Sequence, residues 1–224
     1  MYDDPILATY INSNKNAILE VTYDPDPELP IDNDDLPYRI YIDNINTKNA
    51  NQALINELFD GDNNKYMTYH DRFDNTIDFF HHIREIATPQ DKTILPITEY
   101  EHSAVRYYLG TNSGWDTSTI GFAVIDSTNP SKIDDLSTDI ENVLDRVTDY
   151  ANGDVYSITE YSLNPIDKTK DNIIDGCDSI YACDFKYNNI NDVVAMIAEN
   201  PKNWHHAKTI TTISYDIADD DNQD

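Results

Sequence analysis

What this sequence has least of is positive charge: 10 lysines and 5 arginines, scattered through 224 residues. Binding nucleic acid needs clustered Lys and Arg that displace counterions from phosphates, so direct nucleic-acid binding is excluded as the expected activity. Long apolar runs are missing too. None approaches the roughly 20 residues that cross a bilayer, and the start, MYDDPILATY, has neither the basic nor the apolar region of a secretion signal. A cytoplasmic protein away from the membrane is the expectation. The two cysteines, Cys177 and Cys183, sit in CDSIYAC, which is not the C-x2-C spacing of a zinc site, and no second pair exists. They are expected to be reduced thiols. The pairs His81–His82 and His205–His206 are adjacent residues, which point apart on a helix or strand and so make poor joint ligands. Glycine is scarce at six residues, and no P-loop, nucleophile elbow or HExxH motif is present. Nor does any stretch match a calcium-binding loop; Asp60–Asn64 and Asp167–Asp175 share only its composition. No metal and no cofactor are expected.

Negative charge is abundant. There are 33 Asp and 9 Glu beside 24 Asn, for a formal net charge of −27. Charges of about 2–8 are enough to keep a small domain soluble, so this excess calls for another reason. One is life in high salt, which fits poorly with so much Asn and Ile. The other is that the charge is the working surface, a negative field offered to a basic partner. Disorder of the whole chain is excluded by 39% hydrophobic and 11% aromatic residues, 16 of them tyrosines.

Periodicity predicts strands over 17–23 (AILEVTY) and 38–43, separated by a proline-rich loop carrying Asp24, Asp26, Glu28, Asp32, Asp34 and Asp35. Helices are expected over 49–59 and 75–87, with strand composition at 65–73. A strand running from 92 to 109, then a turn at Gly110–Gly114, then a strand over 119–126 read as a hairpin. The clearest helix follows. Ser131 is its expected N-cap and Gly153 its stop, with Ile133, Leu136, Ile140, Val143, Leu144, Val147 and Ala151 on one apolar stripe. Further strands are expected at 155–163, 179–185 and 208–217, with a polar loop up to 176 and a helix over 190–200. Strands and helices interleave without βαβ regularity, so the expected class is α+β: a mixed or antiparallel sheet with short helices in a single compact domain. The expected organisation is N-terminal strands with the acidic loop (1–45), an α+β core (46–215) and a disordered acidic tail (216–224).

Several segments resemble an acidic protein family of phages and mobile elements of Gram-positive bacteria. They are Met67–Phe73 (MTYHDRF), Leu95–Ser103 (LPITEYEHS), Trp115–Phe122 (WDTSTIGF), Asn152–Tyr156 (NGDVY) and Asp178–Phe185, in order over roughly residues 60–200. The chain differs at Ala104, where the family has Gly, at Thr117–Ser118, and near 180, where the family has Trp. The family has no established enzymatic activity to carry over. The resemblance implies a setting: a host bacterial cytoplasm, among accessory genes that counter host defence.

Two classes of function follow. The first is a nucleic-acid mimic without enzymatic activity, blocking a basic nucleic-acid-binding host protein, a CRISPR effector first and a restriction enzyme second. Its binding residues would be Asp24, Asp26, Asp32, Asp34 and Asp35 in the loop and Asp135, Asp139, Asp145 and Asp149 on the long helix. At about 1.5 Å rise per residue those helix acids stand roughly 6–9 Å apart, a spacing that approaches that of neighbouring phosphates. The second is a small hydrolase or metal-dependent enzyme built on His70, His102 and Asp116, with His102 as base, Asp116 orienting it, and Ser103 or water as nucleophile. The bland alternative makes His102 and Asp116 a hydrogen-bonded pair across a loop that Trp115 packs down. A halophilic housekeeping protein is a third possibility, and it predicts unfolding in low salt.

Overall fold

The computed structural model describes residues 5–34, 36–62, 76–111, 114–197, 200–211 and 214–218. Among them are ten strands and four α-helices, all strand pairs being antiparallel, so the class is α+β as expected. The chain divides into two compact units, Leu29–Asn152 and a second made from Met1–Glu28 with Gly153–Asp224. The division falls after Glu28 and after Asn152 rather than near residue 45, because the first strands pair with strands from the C-terminal third.

The Leu29–Asn152 unit holds strands β3 (Tyr38–Ile42), β4 (Thr93–Glu101), β5 (Val105–Leu109) and β6 (Thr117–Ile125), in the order β3-β6-β4-β5. Helices α1 (Ala50–Phe59) and α2 (Thr76–Ala87) cover one face, where Leu54, Phe59 and Ile83 meet Ile94, Phe122 and Val124. Helix α3 (Pro130–Asn152) covers the other, where Leu136, Ile140, Leu144 and Val147 meet Ile40, Ile97, Ala123 and Ile125. Burial on both sides explains the unbroken apolar run Phe122–Ile125 in β6. Gly121 belongs where it is for lack of room, since a Cβ there would lie 2.1 Å from the Tyr41 carbonyl oxygen. The expected hairpin across Gly110–Gly114 does not form. Residues 102–104 make a tight turn that folds β5 back on β4, and β6 then pairs with the opposite edge of β4.

The second unit is a six-stranded sheet, β10-β9-β1-β2-β7-β8, from β1 (Ile6–Asn12), β2 (Ala17–Tyr23), β7 (Val155–Leu163), β8 (Lys170–Tyr181), β9 (Trp204–Thr211) and β10 (Ser214–Ile217). Leu19, Val21 and Ile158 on one face pack with Trp204 and with Val193 and Val194 of α4 (Ile190–Met196). Ile11, Ile18, Leu163 and Tyr215 form a smaller cluster on the other. On that face Glu20 is buried, accepting from Lys170 Nζ at 2.7 Å and from the Tyr215 hydroxyl at 2.9 Å. The stretch before 176, read as loop, is strand from Lys170, and the single strand expected over 208–217 is two, β9 and β10. Asp216 and Ile217, assigned to the tail, pair with Lys208 and Ala207. Residues 65–73 and 219–224 lie outside the described residues.

Candidate partner-binding surface

Helix α3 is the longest element, 23 residues. Its start is held by Asn129, whose Oδ1 accepts the Ser131 N–H at 3.0 Å, so Asn129 and not Ser131 is the cap. A polar residue two positions before the expected cap was open to the same sequence reasoning. The far end is fastened to strand β5. Asn152 accepts the Val105 N–H at 3.0 Å and donates to its carbonyl at 2.8 Å, and Thr148 Oγ1 accepts the Tyr107 N–H at 3.0 Å. Both ends fixed and one stripe buried, the helix turns its remaining faces to solvent.

Those faces are acidic. Asp134, Asp135, Asp139, Glu141 and Asp145 are exposed and Asp149 is half-buried; Lys132 and Arg146 are the helix's only cations. Asp139 also lies near the Tyr38 hydroxyl. Burial and then the Asp139 carboxylate push that phenol up, with Arg146 opposing. Of the expected helix residues, then, Asp135, Asp139 and Asp145 stand in water on a rigid rod and Asp149 sits closer to the body of the unit.

The loop acids do different work. Asp24 Oδ2 accepts the Ser179 N–H at 2.8 Å and Ser179 Oγ at 3.2 Å, and its Oδ1 accepts the Asp26 N–H at 2.9 Å. Asp24 is a fastener for the end of β8, a role that sequence pattern had no means to show. Asp32 similarly accepts the Asp34 N–H at 2.9 Å. The side chains of Asp26, Asp32 and Asp34 are exposed, and Asp35 lies outside the described residues. Asp24 and Asp26 belong to one unit and Asp32, Asp34 and the helix acids to the other.

The proposed catalytic set is only partly visible. His102 Nδ1 stands 3.7 Å from Asp116 Oδ2, with the two side chains 72% and 47% exposed. That is an ion-pair distance if the imidazole is charged, and it is too long for a hydrogen bond. Asp116 reaches the turn through its backbone, its carbonyl accepting the Glu101 N–H at 2.9 Å. Ser103 is exposed beside them, and Trp115 is fully exposed rather than packed over the loop, which corrects the bland reading of this corner as well. His70 lies outside the described residues. No group of three or more His, Cys, Asp or Glu among the described residues has the geometry to hold a metal ion. Cys177 and Cys183 are not joined in a disulfide, and burial, with Asp178 and Asp175 nearby, pushes the Cys177 thiol up and away from reactivity. No helix among the described residues is long and apolar enough to cross a membrane.

No protein-family model, no curated protein and no solved structure matches this chain.

Proposed function

We propose that this chain is an anti-defence protein of a phage or mobile element that acts without catalysis, mimicking nucleic acid to occupy the cationic cleft of a host nuclease. A CRISPR effector is the first candidate target and a restriction enzyme the second. Effectors of the first kind hold their nucleic acid in positively charged channels. The observation that carries the reading is the solvent face of α3, where Asp135, Asp139 and Asp145 are exposed on a helix with two cations. The net charge of −27 supports it by adding long-range attraction to any basic partner. The resemblance over residues 60–200 supports the phage setting and a host cytoplasm.

The test is capture from bacterial lysate at about 0.1 M salt, where exposed charges still act over roughly 10 Å, followed by elution at about 1 M, where the range falls to about 3 Å. The expected product is a nucleic-acid-processing enzyme whose cleavage is inhibited by the chain and which duplex DNA competes off it. Recovery of nothing, or only of proteins whose retention is indifferent to salt and to DNA, would overturn the mimic. The His70, His102 and Asp116 reading would then be tested by replacing all three with Ala, which a mimic tolerates.

A further inference from the structure

Sheet edges invite unwanted pairing, and proteins usually cover them. Among the described residues, two of the four edge strands are covered by their own chain and a third is tied at one end. On β5, Asn152 and Thr148 take the main-chain groups of Val105 and Tyr107. On β3, Asn33 bonds both the N–H and the carbonyl of Ile40, at 2.8 and 2.9 Å, while Asn46 accepts the Ile42 N–H at 2.8 Å. The short strand β10 is tied at its start by the Thr169–Ser214 bridge.

The exception is β8. That bridge closes it at one end, and at the other the Asp24–Glu28 segment holds Ser179, whose Oγ also accepts the Glu28 N–H at 2.8 Å. Between them, residues 171–178 are exposed except for the half-buried Cys177. Among the described residues, nothing outside β7 and β8 bonds this stretch; the Gly176 N–H is met by the neighbouring Asp175 carboxylate at 2.8 Å. Ile173 and Ile174 are 68% and 56% exposed, at a bulge where Glu160 pairs with Asp175 and Tyr161 with Ile173, leaving Ile174 the extra residue. The window bears Asp171, Asp175 and Asp178, and opens at its far end on a cavity of about 500 Å³ lined by Asp24, Asp26, Glu28 and Asp178. The only lysine at this edge, Lys170, is committed to Glu20.

We infer that residues 171–178 of β8 are a docking edge for an extended, basic segment of another protein, which adds as a seventh strand and sends a Lys or Arg side chain into the acidic cavity. Main-chain pairing supplies the fixed geometry, the exposed Ile173 and Ile174 supply apolar contact, and the carboxylates select the charge. A second copy of this chain is a poor occupant, since it brings three further aspartates against the same three. The inference concerns the unit without α3, and it stands or falls separately from mimicry by that helix.

The probe is a fluorescein-labelled nine-residue peptide of alternating Val and Lys, followed by fluorescence anisotropy at about 0.1 M salt. Two further peptides carry N-methyl groups on alternate residues, one set on each edge of the added strand. The expected result is saturable binding in which one methylated peptide loses at least about tenfold in affinity and the other keeps it, because only one edge faces β8. Asp175→Asn with Asp178→Asn weakens binding by about three- to tenfold, and Ile173→Ser with Ile174→Ser, both on the surface, weakens it further. Equal binding of both methylated peptides overturns the inference in favour of loose charge attraction. So does the absence of saturable binding up to about 1 mM, and so does a dimer in sedimentation that the Ile173→Ser, Ile174→Ser variant converts to monomer.

Discussion

Arg39 grips Asp126 with two parallel hydrogen bonds, Nη1 to Oδ2 at 2.7 Å and Nη2 to Oδ1 at 2.8 Å, while its Nε donates to Glu57 at 2.6 Å. Lys92 adds a second cation on Glu57 at 2.7 Å and the Tyr41 hydroxyl a third donor at 2.9 Å. In a chain with so few cations, two of them are held here, joining β3 to α1 and to the residue after β6. Replacing Arg39 with Met removes the shared partner of two carboxylates in a half-buried site. A fully buried pair would lose about 3–5 kcal/mol and an exposed one under about 1; the expected loss is about 2 kcal/mol, read by urea denaturation.

The same network sets a pH dependence. Burial works against the Glu57 carboxylate, but Arg39, Lys92 and Tyr41 outweigh it and hold its pKa below the usual value, and Asp126 is lowered chiefly by its bonds to Arg39. Lowered acids contribute stability above their unfolded pKa, near 4, and lose it as pH falls through the folded value. The stability gap between the natural protein and Arg39→Met is therefore constant from pH 7 to about 5 and closes below about 4. A gap that widened on acidification would show that the network is not what Arg39 supports.

Lys170 and Tyr215 share the Glu20 carboxylate, which is only 4% exposed. Desolvation pulls the Lys170 ammonium down, and Glu20 outweighs it, so its pKa is raised overall. Lys170→Met leaves a buried carboxylate with no cation and is expected to cost about 3 kcal/mol. Tyr215→Phe removes one donor and costs about 1–2 kcal/mol. If thermal or urea melts ranked the two variants the other way, the hydroxyl and not the ammonium would be what keeps Glu20 folded inside.

Asn129 and Ser131 separate what pattern showed from what it hid. The stripe Leu136, Ile140, Leu144, Val147 is buried as periodicity requires, yet the cap is Asn129. Asn129→Ala should cost about 1 kcal/mol, and Ser131→Ala, at an exposed position outside the cap, close to nothing. Elements with at least one buried face were legible in this way: AILEVTY is β2 and VYSITEYSL is β7, residue for residue. Strand β8 was not, because residues 170–176 bury neither face and so carry no alternation. Nor was the job of Asp24, whose partner Ser179 lies 155 residues away in sequence. The acids on α3 were legible from charge and period alone, whereas the exposure of Trp115 was not.

The acids of α3 should cost the fold something. Asp135 and Asp139, Glu141 and Asp145, and Asp145 and Asp149 are like-charged at i,i+4, and each such pair opposes the helix by about 0.2–0.5 kcal/mol at low salt. Asp135→Asn with Asp145→Asn disrupts all three, so this variant is expected to be more stable than the natural protein by about 0.5–1.5 kcal/mol in low salt, with the gain shrinking towards 1 M as screening removes the repulsion. The natural protein's own melting temperature should rise over the same range, without the collapse in low salt that a halophilic protein shows. Binding runs the opposite way: the stabilised variant should hold its cationic partner more weakly, with a shallower dependence on salt. A surface kept only for solubility would gain the stability and lose no binding, so melting and partner capture measured on this one variant separate a working acidic face from an incidental one.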